Sequence, residues 1–278
     1  MVDINFIVEI IQLIYKIPSV LLMILSIYVI IKEIKYKNNL FNKQFYIIIV
    51  FKLTNEIAFN TNMFVFFILP KWGFYNKFLE NHAWTATVFN ILATQQTTFM
   101  FLITLLISIN RYIGVKYPFS YELYFSKPKI VIILLSSIIL SLVLGFGNIF
   151  FDLRYQKSNF FGYFTPSLKT KKELYYQYLY LVILFGLISI ITCIFNVMAI
   201  LTLKKVNKIG SQYKKEIYFI VYSIFIFITL LFVEAFFVVT FIGVKYQINF
   251  FIPIIYFLNI VAFDLTSVGD FYFLIYSW

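Results

Sequence analysis

Seven long apolar runs constrain the fold of this chain more than any other feature of its sequence. They cover residues 10–31, 44–69, 83–109, 130–150, 178–203, 217–242 and 250–276, and we number them spans one to seven. Each is long enough for a helix, which needs about 20 residues to cross the hydrocarbon core of a bilayer. Because a lipid-exposed segment must satisfy its backbone hydrogen bonds internally, each run is predicted to be helical. The sequence therefore predicts an all-α integral membrane protein with a seven-helix bundle.

Composition excludes a water-soluble chain. Of the 278 residues, 62% are hydrophobic and 13% are charged, whereas soluble domains contain roughly 45–50% apolar and 25% charged residues. The loops leave no room for a second soluble domain, so residues 1–278 are predicted to form a single transmembrane domain. The net charge of +11 comes from short basic clusters between spans. Such clusters are typical of contact with a lipid bilayer, and they do not indicate nucleic-acid binding.

Basic residues are unequally distributed between the two sets of alternate loops. Segments 32–43, 111–129 and 204–215 contain 13 Lys and Arg residues, and the longer opposite set, 1–9, 70–82, 151–177 and 244–249, contains 8. The positive-inside rule places the first set in the cytoplasm, which predicts an outside amino terminus and an inside carboxyl terminus. Lys169, Lys171 and Lys172 count against this orientation, since they lie in the longest outer loop.

The sequence lacks the motifs of an enzyme, a metal site or a cofactor site. His82 is the only histidine, so a histidine-based metal cluster is excluded. Gly145-Phe146-Gly147 lacks the third glycine of a dinucleotide-binding loop, and small residues in a span more often allow helices to approach closely. We therefore predict no enzyme activity, no metal and no cofactor.

A small-solute transporter is the less favoured alternative, because no internal repeat is evident.

A polar stripe runs along span three. It consists of Asn90, Thr94, Thr97, Phe101, Thr104, Ser108 and Arg111. Alternating steps of four and three residues place these side chains on one helix face. One interpretation is that small hydroxyl side chains only let a central helix pack closely. The other is that the outer half of the stripe borders a ligand cavity, to which span six contributes a lone acid near mid-depth. The predicted ligand-binding residues are Asn90, Thr94, Gln96, Thr97 and Glu234.

Spans two and seven carry polar side chains that are costly in hydrocarbon and predict a buried polar network. Its members are Lys52, Asn55, Glu56, Asn60, Asn259, Asp264 and Asp270. Lys52 and Glu56 are four residues apart and can pair on one helix face, most simply in a structural role. Because acids outnumber bases in this set, at least one carboxyl is expected to lack a cationic partner and to be protonated or to bind a cation. Nothing in the sequence explains Asp270.

Several short motifs occur in a recognisable order along the chain. They are Tyr15-Lys16-Ile17-Pro18-Ser19, Phe41 through Tyr46, Ser108-Ile109-Asn110-Arg111-Tyr112, Tyr117-Pro118, Tyr121-Glu122, Asn196 and Phe263-Asp264-Leu265. In order and spacing they resemble the nematode serpentine chemoreceptors, most closely serpentine receptor class gamma, from about residue 10 to residue 276. Family members tend to have a proline in span seven, where this chain reads Gly269-Asp270-Phe271. The Asn-Pro-x-x-Tyr motif and the disulfide of rhodopsin-like receptors are also lacking.

The resemblance implies a chemosensory receptor of the plasma membrane, in the family's case of a sensory cilium. Such a receptor binds a small-molecule ligand from outside and activates a heterotrimeric G protein. Asn110-Arg111-Tyr112 resembles the Asp-Arg-Tyr motif of rhodopsin-like receptors, so these residues are predicted to form the G-protein coupling site and switch. The alternative within seven-helix chemoreceptors is a ligand-gated ion channel, for which Asp264, Asp270 and Glu234 are the candidate pore charges.

Two interpretations of Arg111 follow. In the first, it only anchors the end of span three at the lipid headgroups, where lysine would serve equally. In the second, its guanidinium contacts hydrogen-bond acceptors of span two, five or six in one state and meets the G protein in the other. Asn110 stands where the related motif has an acid and cannot form an ion pair with Arg111, which predicts a weakly held resting state.

Overall fold

The computed structural model describes residues 4–36, 43–157, 164–167, 171–205, 211–246, 248 and 250–276. Within these ranges, seven long helical spans follow one another and form a bundle, which confirms the predicted seven-helix membrane fold. Each predicted run lies on its helical span to within one residue. Phe41 of the span-two motif and Lys169 of the long loop lie outside the described residues.

Four of the spans are helical without a π-helical turn. Span one is Ile4–Lys35, span three is Trp84–Lys116, span four is Lys127–Phe146 with a 3-10 turn at Gly147–Phe150, and span six is Ser211–Tyr246. Two short helices lie between spans, at Asn76–Asn81 and Tyr121–Tyr124.

Spans two, five and seven each contain a π-helical turn. Span two comprises Lys43–Met63, the π-helix Phe64–Ile68 and the turn Leu69–Lys71. Span five comprises Lys171–Tyr178, the π-helix Leu179–Leu184 and Phe185–Lys205. Span seven comprises Phe251–Asp264, the π-helix Leu265–Gly269 and Asp270–Tyr276.

Six helices of the described chain are long and apolar enough to cross a membrane, and span two is not among them. Lys52, Glu56 and several asparagines reduce the hydropathy of span two. Span three is the central helix, since 67% of its most apolar window is buried inside the protein, against at most 28% for the other five. The polar stripe of span three is therefore surrounded by other helices rather than by lipid.

A short β-hairpin in the loop between spans four and five closes one end of the helical bundle. Strands β1 (Arg154–Lys157) and β2 (Phe164–Ser167) pair antiparallel, with Tyr155 opposite Pro166. The Tyr155 hydroxyl donates a 2.7 Å hydrogen bond to the carbonyl of Phe66, in the π-helix of span two. Burial raises the pKa of Tyr155 above its ordinary value, so its hydroxyl remains a donor. We call this the hairpin end and the opposite one, which contains Arg111, the arginine end.

Side chains from several spans fill the interior. One cluster of buried residues near the arginine end includes Phe45, Ile107, Tyr222 and Phe271. Nearer the hairpin end, the rings of Phe101 and Phe185 stack with centroids 4.2 Å apart and join span three to span five. Because lipid is as apolar as these side chains, close packing and interhelical hydrogen bonds stabilise the bundle more than hydrophobic burial does.

Candidate functional site

A cavity of about 200 Å³ lies between spans three, five and six, toward the hairpin end. Span three contributes its polar stripe to the lining, through Asn90, Thr94 and Thr97. Span six forms the facing wall with aromatic rings that include Phe237 and Phe241. The cavity is therefore polar on one side and aromatic on the other, as small-molecule sites commonly are.

The π-helix of span five lies beside this cavity. Tyr180, Leu181 and Val182 all belong to that turn, and all three line the space. The extra residue of a π-turn rotates the side chains that follow it, and such turns occur frequently at functional sites. The sequence did not identify these residues, because an apolar run carries no marker for a π-turn.

Thr94 joins three spans beside the cavity. Its hydroxyl accepts a 3.1 Å hydrogen bond from Asn148 Nδ2 of span four and lies 3.1 Å from the Tyr180 hydroxyl of span five. Asn148 also donates a 3.0 Å bond to the carbonyl of Gly145. The cavity wall is thus held by a hydrogen-bonded chain across spans three, four and five, in which only Thr94 was predicted.

Gln96 does not line the cavity, contrary to the prediction. Its Oε1 accepts a 3.2 Å hydrogen bond from Asn62 Nδ2, and its backbone carbonyl accepts one of 3.0 Å from Asn55 Nδ2. Both partners belong to span two. The reason is helix geometry, since at 100° per residue Gln96 lies 100° from Thr97 and 200° from Thr94.

Glu234 also lies outside the cavity lining, contrary to the prediction. It faces span five, where a Cβ added to Gly186 would lie 3.4 Å from its Oε1 atom. Its Oε2 atom has no hydrogen-bond partner within the described part of the chain. The Glu234 carboxyl therefore lies against span five and does not border the cavity.

The predicted polar network is divided into separate groups. Lys52 forms ion pairs with both Glu56 and Asp270, and the three side chains are at most 2% exposed. The expected Lys52–Glu56 pair is present, and it extends to span seven. This contact gives Asp270 the explanation that the sequence lacked. One lysine here serves two carboxylates, and Glu56 Oε2 has no hydrogen-bond partner among the described groups.

Asp264 is held by span one. Its carboxylate pairs with Lys16 at 2.6 Å, accepts a 2.8 Å hydrogen bond from Gln12 and accepts another from Tyr15. The prediction that a span-two or span-seven carboxyl lacks a cationic partner is therefore wrong. It omitted Lys16, and it could not foresee that Lys52 reaches across to Asp270.

The three predicted amide members are in other groups. Asn55 donates to span three, as described above, and Asn60 donates a 2.8 Å bond to the Glu56 carbonyl within its own helix. Asn259 lines a second, much smaller cavity of about 30 Å³ together with Glu9 and Lys71. That volume is the share of one water molecule in the liquid, so it is too small for an organic ligand.

Arg111 is buried at the arginine end, where it is 1% exposed. Its guanidinium carbon lies 4.2 Å from the ring centre of Phe45 in span two and 4.5 Å from that of Phe219 in span six. We call this arrangement the arginine clamp. The two ring centres lie 4.8 Å from each other, so the guanidinium packs against an adjacent pair of rings from one side. A cation in contact with an aromatic ring away from water is stabilised by about 2 kcal/mol or more. This burial excludes the interpretation of Arg111 as a headgroup anchor.

The neighbours of Arg111 complete the site. Asn110 Oδ1 accepts a hydrogen bond from Arg111, and Asn110 Nδ2 donates one of 2.6 Å to the Tyr121 hydroxyl. Tyr112 points elsewhere, because its hydroxyl accepts from Lys116 at 2.6 Å and its ring packs against Phe195. Among the described contacts, the arginine packs against two aromatic rings and donates to the amide oxygen of its neighbour Asn110.

A seven-helix bundle with a ligand-sized cavity toward one end and a buried arginine at the other defines a serpentine membrane receptor. The sequence profile of the Srg family chemoreceptors, serpentine receptor class gamma, matches residues 9–277. The chain belongs to this family, and it is a multi-pass chemosensory receptor rather than a member of an enzyme family. A comparison with curated proteins finds no match.

Proposed function

We propose that this receptor binds a small molecule from outside the cell in the cavity of spans three, five and six, and activates a heterotrimeric G protein at the arginine end. The hairpin end then faces outward from the plasma membrane. The observation that carries the proposal is that spans three and six each join the cavity to the arginine clamp. Phe237 and Phe241 line the cavity on the same continuous helix that carries Phe219.

Direct contacts connect the two ends along span three. Below the cavity, Phe101 stacks on Phe185, whose ring centre lies 6.2 Å from that of Phe237. Nearer the arginine, Ser108 lies 3.0 Å from Ser223 of span six, and Ser223 donates a 2.8 Å bond to Asn196 of span five. A displacement of span six at the cavity therefore changes the packing next to Arg111.

The clamp supplies the resting state of a two-state switch. Movement of span six away from span three withdraws the Phe219 ring and uncovers the guanidinium for a partner protein. A ligand can drive that change only if it binds one of the two packings more tightly. Because arginine presents a planar fork of donors, it can then hold a backbone or carboxylate group of the G protein.

Replacing Phe219 with leucine tests this switch without a known ligand. The substitution removes one cation–π contact, so the resting state is weakened and basal nucleotide exchange on the G protein is expected to rise several-fold. Arg111→Ala is expected to abolish the exchange, and Arg111→Lys to reduce it strongly. The measurement is guanine-nucleotide exchange on purified G protein with receptor in lipid vesicles.

Phe225→Leu is the matched control, because Phe225 lies on span six but stacks on Phe273 and not on the arginine. It is expected to leave basal exchange unchanged. Full exchange by Arg111→Ala would contradict the coupling role of Arg111. A ligand-evoked current in membranes without any G protein would instead support the ion-channel alternative.

A further inference from the structure

We infer that the cavity accepts an uncharged ligand of about one-ring size that carries both a hydrogen-bond donor and an acceptor. This inference rests on the proposed function and names the ligand class for the same site. It follows from three properties of the lining: its lack of charge, its volume and the position of its unused hydrogen-bonding groups.

The polar groups of the lining are neutral. They are the amides of Asn90 and Gln177 and the hydroxyls of threonine and tyrosine side chains. Among the described residues, no charged side chain lines the cavity. Glu234 faces Gly186, and Lys245 is exposed, with its ammonium 5.4 Å from the ring centre of the lining residue Phe241.

None of the described lining residues therefore offers a buried counterion to a charged ligand. Transfer of an unpaired carboxylate or ammonium from water to such a site costs several kcal/mol, even after relaxation of the protein. A neutral amide or hydroxyl loses much less hydration free energy on entering the cavity. Hydrogen bonds to the lining recover most of that loss. The cavity thus selects against acids and amines, irrespective of their shape.

The volume limits the size of the ligand. An apolar protein cavity of about 150 Å³ holds benzene, and one water occupies about 30 Å³ in the liquid. The present cavity, at about 200 Å³, is larger than the benzene-binding one by roughly a third, so it has room for one six-membered ring and a compact substituent of up to about three heavy atoms, such as a carboxamide. Longer molecules would have to extend past the rim.

Three lining residues offer hydrogen-bonding groups that the protein does not use. Thr97 of span three and Gln177 of span five make no side-chain hydrogen bond within the described chain, and the buried Thr240 hydroxyl of span six has no partner there. A buried polar group without a partner is costly, and a ligand that supplies one recovers that cost. Since the three groups come from three different spans, a single ligand can link them.

Matched one-ring probes test the inference on the full-length purified receptor. The probes are benzamide, benzoate, benzylammonium and toluene, each compared at neutral pH by the shift in the receptor's unfolding temperature. Benzamide is expected to raise the unfolding temperature in a saturable manner, with toluene binding more weakly. Benzoate and benzylammonium are expected to produce no shift at the same concentration, because the described lining residues carry no charge to pair with them.

Variants locate the binding to this cavity. Thr97→Val and Thr240→Val each remove one neutral hydrogen bond and are expected to weaken benzamide binding about fivefold. Ala93→Leu fills the space and is expected to abolish the shift. Thr98→Val is the matched control, since Thr98 is buried beside Thr97, has no hydrogen bond of its own and does not line the cavity.

The outcomes separate the ligand class from the receptor function. Equal binding of benzoate or benzylammonium, or benzamide binding that survives Ala93→Leu, would overturn the inference while the signalling proposal stands. If other compounds activate the G protein but benzamide gives no saturable shift, the inferred ligand class is wrong and the signalling proposal still stands. Cavity-dependent benzamide binding by a receptor that activates no G protein would support the ligand class and reject the proposed function.

Discussion

Lys52 is the side chain on which the buried charges of the bundle most depend. It lies between two carboxylates of different spans, with Lys52 and Asp270 2% and 0% exposed. Its pairing with Glu56 could be predicted, because both residues belong to one helix and are one turn apart. Its pairing with Asp270 could not, because that contact depends on how spans two and seven pack.

Replacing Lys52 with methionine is expected to destabilise the receptor by about 3–5 kcal/mol, because it leaves two buried carboxylates without a cation. Lys16→Met is the matched control. The Lys16–Asp264 pair is 18% and 14% exposed, and Gln12 and Tyr15 still donate to the carboxylate, so a smaller loss is expected. Thermal unfolding of the purified proteins measures both.

A second substitution distinguishes charge from packing at this site. Adding Glu56→Gln and Asp270→Asn to Lys52→Met removes the uncompensated charges and is expected to restore part of the lost stability. If Lys52→Met unfolds at the parent temperature, the ion pairs with Glu56 and Asp270 do not support the bundle.

At the scale of helices, the sequence predicted the positions of the spans and missed their irregular turns. Length and apolarity are sufficient to locate a spanning helix, whereas a π-turn depends on local packing that a run of apolar residues does not encode. In span seven, the π-helix Leu265–Gly269 ends at the first residue of Gly269-Asp270-Phe271, the segment in which family members tend to have a proline. The helix is thus irregular at this point without one. Gln96 differs from the π-turns in this respect. Helical periodicity alone places its side chain on another face of span three than Thr94 and Thr97, so its position could be predicted from the sequence.

The contact between spans three and four depends on a glycine. A Cβ added to Gly145 would lie 2.7 Å from the backbone carbonyl of Ile91, so Gly145→Ala forces the two helices apart. We expect a loss of about 1–3 kcal/mol, typical of overpacking, measured as a lower unfolding temperature. Weaker benzamide binding is expected as well, because Asn148 follows Gly145 and holds Thr94.

Gly114→Ala provides the matched control for this prediction. A Cβ at Gly114 would lie 3.8 Å from the Tyr121 ring, which is ordinary contact, and alanine favours the helix. The unfolding temperature of this variant is expected to equal or exceed that of the parent. A Gly145→Ala receptor as stable as Gly114→Ala would show that spans three and four do not need their close approach.

For the whole molecule, the central position of span three connects sequence to function. Its polar stripe could be read from the sequence, because helical periodicity is a property of one segment. The stripe extends from a cavity at Asn90, Thr94 and Thr97 to the clamp at Arg111. The residues that complete both sites, such as Tyr180 and Phe219, come from other spans. They could not be identified, since one sequence does not reveal which faces of different helices meet.

The proposed function also requires the hairpin end to face outward, and the sole cysteine makes this testable. Cys193 lies in span five and is exposed on the outer surface of the bundle, so Cys193→Ser leaves a receptor without thiols. In that background, Lys77→Cys places an exposed thiol at the hairpin end, and Glu122→Cys places one at the arginine end. Both positions lie outside the seven spans.

The excess of basic residues in the loops of the arginine end predicts the labelling pattern. A membrane-impermeant maleimide should label Lys77→Cys on intact cells and Glu122→Cys only after permeabilisation, with Cys193→Ser alone as the unlabelled control. The opposite pattern would place Arg111 at the outer surface, where no G protein is available. It would also turn the cavity toward the cytoplasm, so the receptor could not sense an external ligand there.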